Sequence, residues 1–173
     1  TIAQRIVRAK RTLAAARGGT LSLYSIHSNH VDAALSKAAH TDAIQSVAWS
    51  PDGHWIATGG WRKILLWEAE GLRLSREWTT GLENRVTALE FGVDSKTLYA
   101  ADGGFGAPGF IRSVTIDGSG SGPDNAWQAH LDTIFDLELS RDGQQLASAG
   151  ADKLIRLWDT KSHRELAVLV DIV

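Results

Sequence analysis

The sequence predicts an all-β repeat chain built from four-stranded antiparallel units, and three observations predict it. First, residues 127–159 hold three short apolar runs, each ended by turn chemistry. Ile134, Leu137 and Leu139 form the first run, Leu146 to Ala149 the second, and Leu154, Ile155, Leu157 and Trp158 the third. Asp142-Gly143 and Gly150-Ala-Asp152 separate them, and strands at this spacing with tight-turn dipeptides between them form an antiparallel meander. Second, the unit recurs. Residues 39–68 carry Ile44, Val47 and Trp49, then Pro51-Asp52-Gly53, Ile56 to Thr58, and Ile64 to Trp67. A weaker copy starts at Val86-Thr-Ala-Leu89 and ends in Ser113-Val-Thr-Ile116-Asp117. Third, Ile44, Val86 and Ile134 start successive copies roughly 40–50 residues apart, a spacing that marks one supersecondary unit per repeat. An insertion at 103–109 accounts for the longer interval.

Composition narrows the function classes. The 173 residues carry 18 basic and 20 acidic side chains for a net charge of −2, without the asymmetry expected of a nucleic-acid or anionic-membrane binder. No apolar run approaches a membrane span, and the N-terminus has no secretory pattern. The absence of cysteine excludes disulfides and thiolate metal sites but leaves the compartment open. The absence of methionine, an initiator included, reads as a processed product or a piece of a larger protein.

The repeats resemble the WD-repeat (WD40) β-propeller family. Ala129-His130 stands where that family has Gly-His, Ser140-Arg-Asp142-Gly143 makes the hairpin, and Leu157-Trp158-Asp159 closes the unit. The resemblance covers 39–169 well and 1–38 weakly. It implies one four-stranded blade per repeat and four consecutive blades: about 1–38 (degenerate), about 39–80, about 81–128 and about 129–173. The expected arrangement is an open arc, part of a larger bacterial propeller protein. A closed four-bladed ring is the alternative.

Taken in order, residues 1–25 admit two readings. Ile2, Ile6, Val7 and Leu13 among Ala, Arg and Lys suit a basic amphipathic helix. Against this, 12–24 aligns without a gap on 55–67, with Tyr24 on Trp67, and favours a blade with strands at 1–7, 11–16, 20–26 and 31–37. The second blade has strands near 44–49, 54–59, 63–68 and 72–78. The third runs from about 86 to 128, with loops at 102–109 and 117–123, and the fourth from 134 to about 169. Residues 169–173 align with 40–44, where a fifth repeat would start.

The resemblance also implies a hydrogen-bonded network of His, Ser or Thr, Asp and Trp within each blade. The fourth blade has all four, His130, Ser148, Asp152 and Trp158. Trp supplies an indole N–H, Ser a hydroxyl, and Asp accepts from the imidazole. The second keeps His40, Thr58 and Trp67 but has Trp61 and Arg62 in place of the Asp. The third, with Leu82 and Ala100, lacks the network. The fourth blade is therefore expected to be the most rigid.

Other motifs assign no catalytic, cofactor or metal residues, and no cofactor is expected. The repeat fixes Ser148, His130 and Asp152 at blade-core positions, which argues against a catalytic triad. Gly104-Phe-Gly106-Ala-Pro-Gly109 matches a phosphate-loop pattern, but the β-rich run 110–116 follows it rather than a helix. The stretch 117–122 looks like half a calcium loop whose twelfth position is Gln128. His27 and His30 lack further zinc ligands. Arg5, Arg8, Lys10 and Arg11 cluster without interleaved aromatics.

The expected function is a non-enzymatic interaction scaffold for a protein or peptide partner. The alternatives are a propeller domain of a larger multidomain enzyme or c-type cytochrome protein, or a propeller hydrolase. The hydrolase would have only Glu90, Asp136 and Glu138 among the first-strand residues as ligands. Mapped by resemblance, the contact surface comprises Gln45 and Trp61, Arg85 and Thr87, and Thr133 and Phe135. Trp61, Phe135 and Arg85 are hot-spot residue types; packing of the two aromatics against neighbouring loops is the alternative. An open arc further implies additional blades or self-association at its uncovered ends.

Overall fold

The computed structural model describes residues 5–9, 12–26, 31–118, 123 and 125–170. Among these, every regular element is a strand. The first sheet comprises β1 (Arg5–Ala9), β2 (Thr12–Arg17), β3 (Thr20–Ile26) and β4 (Val31–Ala38). The second comprises β5 (Ser46–Trp49), β6 (Trp55–Gly60), β7 (Lys63–Glu68) and β8 (Arg73–Trp78). The third comprises β9 (Arg85–Phe91), β10 (Thr97–Gly103), β11 (Gly109–Thr115) and β12 (Asn125–His130). The fourth comprises β13 (Ile134–Leu139), β14 (Gln145–Gly150), β15 (Leu154–Asp159) and β16 (Glu165–Val170). Within each sheet, strands pair in sequence order and antiparallel.

Short-range chemistry sets the hairpins. Ser50 Oγ donates to Asp52 Oδ1 at 2.5 Å, His54 N donates to the same oxygen at 3.0 Å, and Gly53 takes φ +80. The fourth sheet repeats this at Ser140, Asp142 and Gly143 (φ +72), with Ser140 Oγ 2.6 Å from Asp142 Oδ1. In the third sheet Ser95 holds the positive-φ position, and Asp94 Oδ1 accepts from Lys96 N and Thr97 N, both at 2.9 Å. Each is an Asp side chain mimicking a backbone turn.

Sheets stack on their sequence neighbours, first on second, second on third and third on fourth, in an open arrangement. Ala14, Ala16, Leu21 and Leu23 pack on Ile44, Ile56, Leu65 and Trp67. Ala57, Ile64, Leu66 and Trp78 pack on Val86, Phe91, Leu98 and Val114. Tyr99, Ala101 and Ile111 pack on Ile134, Leu137, Leu146 and Trp158. A strand between two neighbours is buried on both faces, so β7 reads as the continuous run Ile64-Leu-Leu-Trp67, all buried. On the fourth sheet the positions matching Ile64 and Trp78 are Ile155 and Leu169, and both are exposed.

Residues 12–17 form a strand rather than part of a helix, because Gly18, at φ +57, turns the chain back and Thr12 to Arg17 pair with Ser25 to Thr20. Of the expected first strand at 1–7, residues 5–7 lie in β1, which runs on to Ala9, and residues 1–4 lie outside the described residues. Leu169 and Val170 end β16 opposite Ile155 and Leu154. Residues 1–4, the basic pair Lys10 and Arg11, the pair His27 and His30, loop residues 119–122 and residues 171–173 lie outside the described residues. The motif at 104–109 closes a β-turn, with Ala107 N donating to Gly104 O at 2.9 Å, and leads into β11.

Candidate functional site

Antiparallel order puts the turns between second and third strands at the same end as the connections between sheets. The two network histidines and the expected contact residues lie at that end.

His130 is the last residue of β12, paired with Gly109. It therefore belongs to the third sheet, whereas the sequence points to a network inside one blade; its partners lie on the fourth. Its Nε2 is 2.7 Å from Ser148 Oγ and its Nδ1 2.8 Å from Asp152 Oδ1, while Trp158 Nε1 donates to Ser148 Oγ at 2.9 Å. An indole can only donate, so Ser148 accepts from Trp158 and turns its own proton to His130 Nε2. His130 then carries its proton on Nδ1 and donates it to Asp152. Burial raises the Asp152 carboxyl, but the His130 hydrogen bond and the N–H groups of Leu131 and Leu154 outweigh that and hold it below the usual carboxylate range. Ser148 and His130 are buried, so the hydroxyl is shielded from any substrate and its proton is already engaged. Gly150 makes room for the ring: a Cβ there would lie 2.3 Å from His130 Nδ1.

The second sheet repeats the lower part of this chain. Trp67 Nε1 donates to Thr58 Oγ1 at 3.0 Å, and that oxygen is 3.0 Å from His40 Nε2. Here no Asp hydrogen-bonds to the imidazole among the described residues, although Asp42 and Glu77 lie close enough to favour its charged form. Burial, with nearby Lys63 adding to it, lowers the His40 pKa from 6.5 to about 4. Between these values the unfolded chain binds a proton that the folded chain excludes. Stability from this group is complete above 6.5 and is lost as pH falls toward about 4. His40→Gln is expected to flatten the dependence of the urea midpoint on pH between pH 7 and 4.5; an unchanged slope would refute the assignment.

The third sheet, which lacks the network, holds a feature the sequence did not disclose. Asp102 occupies the ladder position of Gly150 and pairs with Arg112 at 2.6 Å, both side chains buried. Asp102 Oδ1 also accepts from Phe110 N at 3.1 Å, and the Arg112 guanidinium lies 5.3 Å from the Phe110 ring centre. With Leu82 where the second and fourth sheets receive a histidine, the space is open to a carboxylate.

Of the expected contact residues, Gln45, Trp61 and Arg85 come together. With Asp42 and Ala43 they line a cleft of about 450 Å³. Trp61 is 49% exposed, and the Arg85 guanidinium lies 5.8 Å from its ring centre. Trp61 does not stand free at a turn tip: it forms an antiparallel bridge with Arg85, and Arg62 N donates to Asn84 O at 3.0 Å. Arg62 takes the positive-φ position of this turn, at +53. Thr87 and Phe135 sit at register shifts in β9 and β13, where a bulge re-aims the side chain. The Thr87 hydroxyl turns into the sheet joint, 2.5 Å from Ile134 O. Thr133 packs beneath Gly103, whose added Cβ would lie 2.5 Å from the Thr133 Cα. Phe135 is 60% exposed and lies outside the cleft. Asp42 and Ala43 were missed because an inter-sheet connection shows no periodicity. Phe105 is fully exposed on its glycine-rich hairpin.

Stacked four-stranded meanders joined by His–Ser/Thr–Trp hydrogen bonds define a chain of propeller blades. Residues 34–68 and 123–159 match the family described as WD domain, G-beta repeat, and these two segments are WD40 repeats. Among its relatives is Cell division cycle 20.1, cofactor of APC complex, from Arabidopsis thaliana, 29% identical over 67% of this chain and 24% of the relative. Another is the anaphase-promoting complex subunit cdc20 of Dictyostelium discoideum, 26% identical over 84% of this chain and 28% of the relative. A third is the ribosome biogenesis protein WDR12 homolog of Drosophila virilis, 28% identical over 82% of this chain and 36% of the relative. The chain thus spans between about a quarter and about a third of the length of these relatives.

Proposed function

We propose that the chain is a non-catalytic interaction scaffold that presents the loop end of its blades, about 1–38, 39–80, 81–128 and 129–173, to a protein or peptide partner. The observation that carries this reading is the cleft, where a half-exposed indole and a guanidinium from two different sheets are fixed side by side. Relatives named as a cofactor and a subunit of the anaphase-promoting complex support a role in complexes. Phe135 extends the contact surface to the fourth blade; Thr87 and Thr133 shape it through the joints they occupy. In the intact protein, Trp61→Ala is expected to lower recovery of co-purifying partners by about tenfold or more, a hot-spot effect, and Phe135→Ala to do so less. Both should leave the melting temperature nearly unchanged. A clear drop in melting temperature with unaltered recovery would make both packing residues and remove the site.

The uncovered face of the fourth blade, with Ile155, Leu169 and Val170 exposed, is assigned to a further blade or a second copy. The chain on its own should sediment above monomer mass; a monodisperse monomer that binds no hydrophobic dye would overturn this.

A further inference from the structure

We infer that the cleft between the second and third sheets receives an extended peptide segment through a carboxylate, held by Arg85 while Trp61 packs against the adjoining aliphatic side chain. This rests on the interaction reading and deepens it by naming the ligand chemistry.

Arg85 opens β9 and is exposed, yet it is not loose. Its main chain is bridged to Trp61, and the preceding residues hold Arg62: Asn84 O accepts from Arg62 N at 3.0 Å and Leu82 O from Arg62 Nε at 3.1 Å. The Trp61 ring, 5.8 Å from the guanidinium carbon, supports the fork. The arginines of the described ion pairs are already engaged: Arg73 with Glu68, Arg112 with Asp102, and Arg156 with Glu165. Among the described residues no carboxylate lies within ion-pair distance of Arg85, whose side chain lines the cleft. A planar, pre-oriented fork matches a carboxylate through two parallel hydrogen bonds, and less ordering is lost when it forms them.

The rest of the cleft narrows the choice. The Gln45 amide bonds to Ala43 O at 3.5 Å, long enough to be exchanged for a ligand carbonyl. Asp42 lines the same cleft and repels a second anion, which favours one isolated acid with apolar neighbours over an acidic run. The same carboxylate, with the net charge of −2, opposes a nucleic-acid phosphate backbone. The half-exposed indole supplies the apolar contact beside the charge.

The test is a titration of the full chain, followed by the NMR signals of the Trp61 indole and Arg85 Nε, with three peptides. One is acetyl-Ala-Leu-Glu-Leu-Ala-amide, one its Gln counterpart, and one the Gln counterpart with a free C-terminus. The Glu peptide is expected to bind about fivefold or more tightly than the amidated Gln peptide, as a charge-assisted hydrogen-bond pair implies. Arg85→Gln should abolish that preference, Arg85→Lys should reduce it, and added salt should weaken it. Preference for the free C-terminus instead would assign the same carboxylate chemistry to a chain end. Equal binding of all three would overturn the carboxylate inference while leaving the interaction reading standing, provided Trp61→Ala weakens each. Failure of every peptide to move either signal would overturn both.

Discussion

Replacing Arg112 with leucine is expected to destabilise the chain by about 3–5 kcal/mol at neutral pH, the cost of leaving a buried charge without its partner. Asp102 is 1% exposed, and its Oδ2 faces Arg112 Nη1 at 2.6 Å. Neither atom has a hydrogen-bond partner among the described residues, so the ion pair alone offsets the burial of each. Burial pushes the Asp102 carboxyl above its usual 3.8, and the Arg112 charge and the Phe110 N–H pull it only part of the way back. Between the usual and the raised value, the folded chain holds a proton that the unfolded chain has released, so this group's contribution falls as pH rises through that window. Removing the guanidinium raises the carboxyl further and widens the window. The penalty of Arg112→Leu should therefore be larger at pH 7 than at pH 4, where Asp102 is increasingly protonated. Asp102→Leu combined with Arg112→Met should be close to neutral, because an apolar pair of similar volume avoids the desolvation altogether. Urea midpoints at the two pH values decide it: a single-variant loss below about 1 kcal/mol would mean water reaches the pair.

Trp158→Ala should cost about 3–5 kcal/mol, since it opens a cavity where a buried aromatic fills the joint between third and fourth sheets. Trp158 packs with Ile134, Leu137, Leu146 and Trp127 and donates to Ser148 Oγ. Trp158→Phe separates the two contributions. It keeps most of the volume but deletes the donor, for about 1–2 kcal/mol, and Asp152→Ala should cost about 1–3 kcal/mol by stripping His130 of its acceptor. Arg62→Ala removes one partly exposed hydrogen bond to Leu82 O and should cost much less. Equal losses from all four, at unchanged denaturant slope, would contradict this blade-by-blade distribution of stability.

Much of the architecture was legible because its causes are local. Ser-x-Asp-Gly turns and the doubly buried run Ile64-Leu-Leu-Trp67 write strand and hairpin directly into the sequence. The first sheet was harder to read: an Ala- and Arg-rich stretch suits helix and strand alike until Gly18 turns it. Sequence proximity to Ile134 puts His130 with the fourth sheet, because it does not reveal the pairing with Gly109. The Asp102–Arg112 pair escaped because an acid at a strand end and an arginine in an apolar run both look like solvent-facing residues. The clue was that Asp102 stands where its counterparts are Gly60 and Gly150. At the loop end, Gln45, Trp61 and Arg85 were accessible by analogy between repeats. The bulges that re-aim Thr87 and Phe135 depend on cross-strand register, which no single strand encodes.

His130, carried on β12, reaches the hydroxyl of the following sheet, and His40, just past β4, does the same. Each latch therefore straddles a seam. A deletion or duplication drawn along sheet borders would part every imidazole from its catch. One drawn between the third and fourth strands moves latch and catch as a single cassette. The matched segments 34–68 and 123–159 open inside β4 and just ahead of β12, and each closes after a third strand. A chain built from such offset cassettes can gain or lose a unit and find that the new seam already carries its own fastening.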